Sequence, residues 1–300
     1  MVLIFKPFFL TSTGCVRGAW LCFTVLALIG GCAGRPEAPI LETALSSETA
    51  VVKTRLDALL PSDVLLIGEQ HDAKEHQQIE QQMISNLAGR NLLAAVILEM
   101  ASVGTSTEEL NPSATEEQTR RALNWNDKRW NWANYEPAVM TAVRAGVPVL
   151  GGNLPRGQWR ESMVDRTLDT RLSGPAFKAQ QQAIRIGHCN LLPENQIQPM
   201  TRIQIAKDIT MADTIHQAIL PGKIVVLLAG DAHVEHDLGV PLHLRADIKV
   251  KAIRLYAGND SMAVSTLPTD TLWITPALPH KNYCAEVEKK LASRSAQVAR

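Results

Sequence analysis

Short runs of apolar residues alternate along the chain with longer stretches in which apolar positions recur at helical spacing. Runs at 63–67 (DVLLI), 94–98 (AAVIL), 147–150 (VPVL), 224–229 (IVVLLA) and 249–254 (KVKAIR) predict strands. Most are apolar without interruption, as parallel strands covered on both faces are. Between them, periodic segments predict helices over 73–89, 115–124, 135–145, 158–171, 176–186 and 199–219. This alternation predicts an α/β fold, a mainly parallel β-sheet flanked by helices, in a single domain over residues 49–300. Ligands of such sheets sit beyond the carboxyl ends of the strands, so the polar residues at those ends carry the functional question.

Two of those ends repeat one pattern. The first strand closes on Gly68-Glu69-Gln70-His71 and the fourth on Gly230-Asp231-Ala232-His233, each a Gly-x-x-His with an acidic residue directly after the glycine. Glu99 follows the strand AAVIL directly. A single histidine at a strand end is usually a hydrogen-bonded loop residue; the repetition is what gives this pair weight. Glu69, His71, Glu99 and His233 can converge on one point, as acid–base groups for hydrolysis or as ligands of a borderline metal. The familiar local signatures are absent. His71 to His76 is one residue too long for H-x-x-E-H, His233 to His236 is one too short, and neither segment reads H-E-x-x-H. No Gly-x-Ser-x-Gly and no glycine-rich phosphate loop occurs, which excludes the serine-hydrolase elbow and the P-loop.

Three further features accompany the strand ends. In RIQIAKDITMADTIHQAI, Ile205, Ile209, Ala212 and Ile219 form a core stripe, with Gln204, Asp208 and Met211 at i, i+4, i+7 on a neighbouring face. That face is either a solvated flank or the lining of a pocket. Arg156, in the polar loop after VPVL, can take a carboxylate bidentately or can be a plain surface arginine. Trp125, Trp130, Trp132 and Tyr135 crowd the segment 124–135, as edge cover or beside a flat apolar ligand, and Tyr135, Tyr256 and Tyr283 are the only phenols.

Composition then narrows the setting. The 30 basic and 30 acidic side chains balance, so there is no electrostatic case for nucleic acid. The N-terminus has Lys6 and Arg17 ahead of AWLCFTVLALIGG and Cys32, the layout of a secretory signal over 1–31. Ile29-Gly30-Gly31-Cys32 resembles a lipobox, which would acylate Cys32 and leave 32–48 as a lipid-anchored tether; an ordinary cleaved signal and an uncleaved anchor are the rival readings. Ala33 after Cys32 favours the bacterial outer membrane, facing the periplasm, over inner-membrane retention. There Cys189 and Cys284 could pair or remain free thiols.

Five segments, LLIGEQHD (65–72), LEM (98–100), GGNLPRG (151–157), QIAKDITMA (204–212) and AGDAHVEHDLGVPLHL (229–244), occur in an order that resembles the ChaN-like haem-binding lipoproteins of the haem-uptake/Tiki superfamily. The resemblance spans about residues 60 to 255. It implies a ChaN-like α/β fold, an envelope location, and haem binding in iron acquisition with haem-uptake transport components as partners. It also implies haem held at a homodimer interface by a tyrosine on the iron and polar groups on the propionates. Tyr135, from its neighbourhood, is then the candidate iron ligand, with Arg156, Gln204, Asp208 and Met211 around the haem. The wider superfamily, which includes erythromycin-esterase-like and Tiki proteins, implies an alternative: a hydrolase using Glu69, His71, Glu99 and His233, with a divalent metal on Glu69, His71 and His233 in some members.

Overall fold

The computed structural model describes residues 40–258, 269–285 and 287–289. The chain divides into two units, Met1–Leu41 and Glu42–Arg300. The signal segment and Cys32 lie outside the described residues, and apart from Ile40 and Leu41, the first two residues of α1, everything below concerns the second unit. Its helices are α1 (Ile40–Asp57), α2 (Lys74–Gly89), α3 (Glu116–Ala122), α4 (Trp132–Arg144), α5 (Trp159–Val164), α6 (Gly174–Gly187) and α7 (Glu194–Ala218). Its strands are β1 (Val64–Glu69), β2 (Leu93–Ser102), β3 (Val149–Asn153), β4 (Ile224–Gly230), β5 (Val250–Ala257) and β6 (Thr271–Thr275). No described helix is long and apolar enough to cross a membrane.

The strands form one sheet in the order β3-β2-β4-β1-β5-β6, every neighbouring pair parallel. The uninterrupted apolar runs are the inner strands, and all six residues of β1 are buried. Successive side chains serve opposite layers. Leu65, Ile67, Val96, Leu98, Val226 and Leu228 pack with Met83, Ile84 and Leu87 of α2 and Val139 and Met140 of α4. Val64, Leu66, Ile97, Val225 and Leu227 pack with Met211, Ala212 and Ile215 of α7.

With 25 residues, α7 is about 37 Å long against about 23 Å for the seven-residue β4. Its first turns therefore overhang the sheet. On that overhang sits a cap of α5, a 3-10 turn (Arg166–Thr170) and α6, held by Leu154, Leu168, Leu172, Ile205 and Ala206. The continuous helix expected over 158–171 is broken at Asp165, whose carboxylate accepts hydrogen bonds from the Thr167 backbone N–H and hydroxyl and starts a new turn. Two elements were not anticipated: α1 begins inside the stretch read as tether, and β6 adds an edge strand. Cys189, just after α6, and Cys284 form a disulfide with Cα atoms 5.5 Å apart.

Candidate functional site

The site is built at the carboxyl ends of β1, β2 and β4, the three adjacent strands at the middle of the sheet. After Glu69 the backbone turns tightly, with Ala73 N–H donating to the Gln70 carbonyl. The turn is pinned on both sides: Gln70 N–H donates to His76 Nδ1, and the Gln70 side-chain oxygen accepts from Ala257 N–H. Glu69 and His71 are thereby turned toward each other, and His71 Nδ1 donates to Glu69 Oε1 at 2.8 Å.

The glycines of the two Gly-x-x-His motifs serve each other. Glu69 and Gly230 are register partners in the β1–β4 ladder. A Cβ on Gly68 would stand 2.4 Å from Val234 Cγ2 and 2.9 Å from Asp231 Cα, inside the turn that carries His233. A Cβ on Gly230 would stand 3.0 Å from His71 Nε2. Each motif is thus cut away where the other must approach, which is why both need glycine before the polar residues.

Glu99 joins the two histidines. The pairing of β2 with β3 shifts register between Leu98 and Ser102, and Glu99 lies in that irregularity, its carbonyl accepting from Asn153 Nδ2 at 2.7 Å. Its carboxylate accepts from Gly230 N–H at 2.9 Å and lies 3.3 Å from His233 Nε2, 3.6 Å from His71 Nε2 and 3.6 Å from Lys207 Nζ. Burial alone would neutralise Glu99, but His233, Lys207 and His71 outweigh it and hold the carboxyl well below its usual range. His233 is enclosed between Glu99 and Asp208, which accepts from its Nδ1. Burial opposes its charge, yet those two carboxylates push its pKa up to about 10. Asp208 itself is raised, because burial outweighs the nearby imidazolium. His71 is also raised, the hydrogen bond to Glu69 and the charges of Glu99 and Glu69 outweighing burial. Both imidazoles are therefore held toward the cationic form, which suits anion binding better than proton abstraction.

Below this layer is Tyr135. It is wholly buried, and its hydroxyl donates to Glu69 Oε1 at 2.8 Å, 3.3 Å from His71 Nδ1. Burial and the charge of Glu69 push its pKa far up, so it is a phenol that supports Glu69 from underneath, with no face open to an iron atom. Glu69 also accepts from Gln77 Nε2. Nearby on α2, Glu80 is fully enclosed, neither carboxyl oxygen having a partner among the described residues; burial, then the charge of Glu69, raise its pKa well above the usual carboxylate range.

Above the layer is a rim of aromatic rings and cations. Trp130 meets the ring of His71 edge-on at 4.7 Å. Trp159, from the cap, has Arg156 at 5.0 Å, Arg129 at 5.9 Å and Lys207 Nζ at 5.9 Å from its ring centre. Arg129 also lies 5.8 Å from the ring of Trp130. Among the described residues neither Arg129 nor Arg156 has a carboxylate partner; burial and the charge of Arg156 lower the pKa of Arg129. The mouth carries Arg129, Arg156, Lys207, His71 and His233 against Glu69, Glu99 and Asp208, an excess of positive charge.

The structure thus brings Glu69, His71, Glu99 and His233 together, and places Arg156 at the rim. Gln204 belongs with them, its amide nitrogen 3.2 Å from His233 Nδ1, and so does Asp208. Met211 does not: it is enclosed under Gly152, in the core between α7 and the sheet. Arg129, Trp159 and Lys207 were not singled out from sequence; for Arg129 the one available signal was the closeness of basic and aromatic residues in DKRWNW. Among the described residues no group of three or more His, Cys, Asp or Glu is placed to hold a metal ion. Glu69, His71 and His233, the anticipated ligands of a divalent ion, are engaged instead in carboxylate–imidazole hydrogen bonds.

A family model described as haem-binding uptake, Tiki superfamily, ChaN matches residues 55–244, a span that contains every residue of this layer and its rim. Among solved structures the chain is similar to one described as cofacial haem binding to ChaN of Campylobacter jejuni, with 25% identity and a TM-score of 0.58 over 70% of this chain and 87% of that one. A fainter likeness joins it to the type III effector HopBA1, at 13% identity and a TM-score of 0.42 over 76% of this chain and 94% of that one. No curated protein matches the sequence.

Proposed function

This chain belongs to the ChaN family of the haem-binding uptake, Tiki superfamily, and on that premise we propose that it binds haem at the mouth formed by Trp130, Trp159 and His71. The observation that carries this reading is the gathering of Arg129, Arg156 and Lys207 around Trp159, the two arginines without carboxylates of their own. Haem is flat and apolar with two carboxylates at one edge. Guanidinium groups bind carboxylates bidentately, and indole faces cover a flat ring system. When bound, haem supplies an iron centre; the part of this chain is to hold the propionates with Arg129, Arg156 and Lys207 and to shield the ring with Trp130 and Trp159. Gln204 and Asp208 act one step back, by holding His233 in place beneath Glu99. Tyr135 is not the iron ligand in this reading, because its hydroxyl is committed to Glu69 out of reach of the mouth.

We further propose a lipid anchor at Cys32, an outer-membrane location facing the periplasm, and a role in iron acquisition with haem-uptake transport components. The lipobox-like Ile29-Gly30-Gly31-Cys32 supports the first of these. The Cys189–Cys284 disulfide supports an oxidising compartment. The relative described by its cofacial haem binding supports a homodimer in which two copies bring their haems face to face.

The test is titration of the protein lacking residues 1–31 with hemin. A saturable, shifted Soret band is expected, with binding weakened about tenfold in Arg129→Ala and again in Arg156→Ala. Hemin dimethyl ester, which lacks the propionate charges, should bind the unaltered protein and both variants with similar, weaker affinity. Absence of any saturable band overturns the reading. Light scattering with and without hemin reports the dimer.

A further inference from the structure

We propose that His71 is this chain's ligand to the haem iron, bound through Nε2, and that Glu69 is the positioning residue that presents it. The inference rests on the haem reading above and adds the atom that meets the metal.

An imidazole ligates a metal through a nitrogen that has shed its proton and has room beside it. In metal-binding histidines the other nitrogen usually donates to a carboxylate, which fixes the tautomer and the ring and makes the free nitrogen more basic. His71 has that arrangement. Its Nδ1 donates to Glu69 Oε1 at 2.8 Å. Glu69 is held from two other sides, by the Tyr135 hydroxyl on Oε1 and by Gln77 Nε2 on Oε2. The Nδ1 proton is thereby kept in place, and Nε2 is the nitrogen left over. Glu99 Oε2, 3.6 Å away, stands beyond hydrogen-bonding distance of it. Gly230 leaves clear the place where a Cβ would come within 3.0 Å of it. The His71 side chain is 34% exposed and meets Trp130 of the rim edge-on.

The other candidate ligands nearby are already engaged. The His233 side chain is only 5% exposed, with Asp208 on its Nδ1 and Glu99 3.3 Å from its Nε2. His76 uses both nitrogens, Nδ1 accepting from Gln70 N–H and Nε2 lying 3.0 Å from the Thr275 hydroxyl. Lys207 Nζ is paired with Glu99, and the Tyr283 hydroxyl donates to Asp72. The two Gly-x-x-His motifs therefore divide the work. The histidine of the second is buried and supports Glu99, while the histidine of the first stands at the mouth with one nitrogen to give.

On binding, Nε2 releases to solvent any proton it carries and gives its lone pair to the iron. Nδ1 keeps its own proton on Glu69, and no electron changes hands. The carboxylate of Glu99 stands beside the new bond and offsets part of the iron's positive charge.

The full chain is titrated with hemin and with iron-free protoporphyrin IX, which has the same ring and propionates but no metal. His71→Ala should weaken hemin about tenfold more than it weakens protoporphyrin IX. The ferrous haem complex of the parent should show an iron–histidine stretch in its resonance Raman spectrum, and the band should be missing from His71→Ala. Glu69→Gln should keep the band and move it to lower frequency, because a neutral amide draws less on the Nδ1 proton. Equal losses for the two porphyrins overturn the proposal and make His71 a wall of the pocket. So does the lack of an iron–histidine band in the parent, whatever the variants do, and so does a band that survives His71→Ala. A band unmoved in Glu69→Gln overturns the part given to Glu69. Should neither porphyrin bind, the haem reading fails and the ligand with it; should both bind without the band, only the ligand fails.

Discussion

Gly230 makes room for His71: a Cβ there would stand 3.0 Å from Nε2 and 3.5 Å from Glu99 Oε2. Gly68 does the same for the turn that bears His233, but against different atoms. At Gly230 the crowded atoms are the ends of side chains, which can swing; at Gly68 one of them is backbone. Gly68→Ala should therefore cost roughly 1–3 kcal/mol of folding free energy, measured by urea denaturation. Gly230→Ala should stay within about 1 kcal/mol of the parent and act on the site instead, weakening hemin binding by displacing His71. Equal losses of stability in the two variants would contradict this division.

Two histidines give stability opposite responses to pH. The folded-state pKa of His233, about 10, lies above the unfolded value of about 6.5. Its contribution is complete below about pH 6.5 and is lost as pH rises toward 10. Burial lowers the pKa of His76, which accepts from Gln70 N–H and lies 3.0 Å from the Thr275 hydroxyl. Below about pH 6.5 the unfolded chain takes up a proton at His76 before the folded one does, so stability falls as pH drops. The denaturation midpoint should peak near neutrality, with the alkaline fall flattened in His233→Gln and the acid fall flattened in His76→Gln. A midpoint that keeps rising from pH 7 to 9.5 would sink the assignment for His233.

Glu80 is tolerated in its enclosed position only while it keeps its proton. Its folded pKa is raised, so burying it costs nothing extra below about pH 4.3 and increasingly destabilises the fold as pH rises through the folded value. Glu80→Gln keeps the shape and removes the ionisation. It should match the parent at pH 4 and exceed it by about 1–2 kcal/mol at pH 8. A difference independent of pH would mean that Glu80 has an ionised partner.

The rim predicts a salt effect. Arg129, Arg156 and Lys207 stand at a partly open mouth, where charge interactions are screened. Hemin affinity should fall as sodium chloride rises from 50 to 500 mM. The fall should be shallower in the double variant Arg129→Ala/Arg156→Ala, and the dimethyl ester should show almost none. Equal salt dependence in parent and double variant would remove the arginines from the ligand contact.

Much of the site was legible because its residues sit at strand ends that the apolar runs mark clearly. Glu69, His71, Glu99 and His233 could be placed on one edge of a parallel sheet without coordinates. What lies under and over that layer could not. Tyr135 meets Glu69 from 66 positions away, and no spacing announces it. The run Gln204, Asp208, Met211 shows the reason for a partial reading. Spacing of i, i+4, i+7 identifies a helix face but not its depth, and seven residues carry that face about 10 Å along the axis. Gln204 and Asp208 are level with His233, while Met211 is down among Ile97 and Gly152. β6 escaped because TLWIT is brief and ends at a proline, so little in its pattern separates it from a loop. α1 escaped because its weakly patterned sequence follows a proline-containing stretch that reads as linker.

The cap enters and leaves the chain as one uninterrupted excursion, from Leu154 after β3 to Pro193 before α7. It is attached to the rest by aliphatic contacts with the overhang of α7, by the Asp169–Arg202 and Arg185–Glu194 ion pairs, and by the Cys189–Cys284 disulfide. The two glycine–histidine turns, by contrast, are interlocked through the sheet and cannot vary independently. Natural drift or deliberate engineering can therefore rewrite the roof of this pocket, Trp159 and Arg156 included, as a cassette that keeps Asp169, Arg185 and Cys189 as its fixed joints. Grafting residues 154–193 between relatives, with those three joints retained, should exchange the rim and leave the interlocked turns in place.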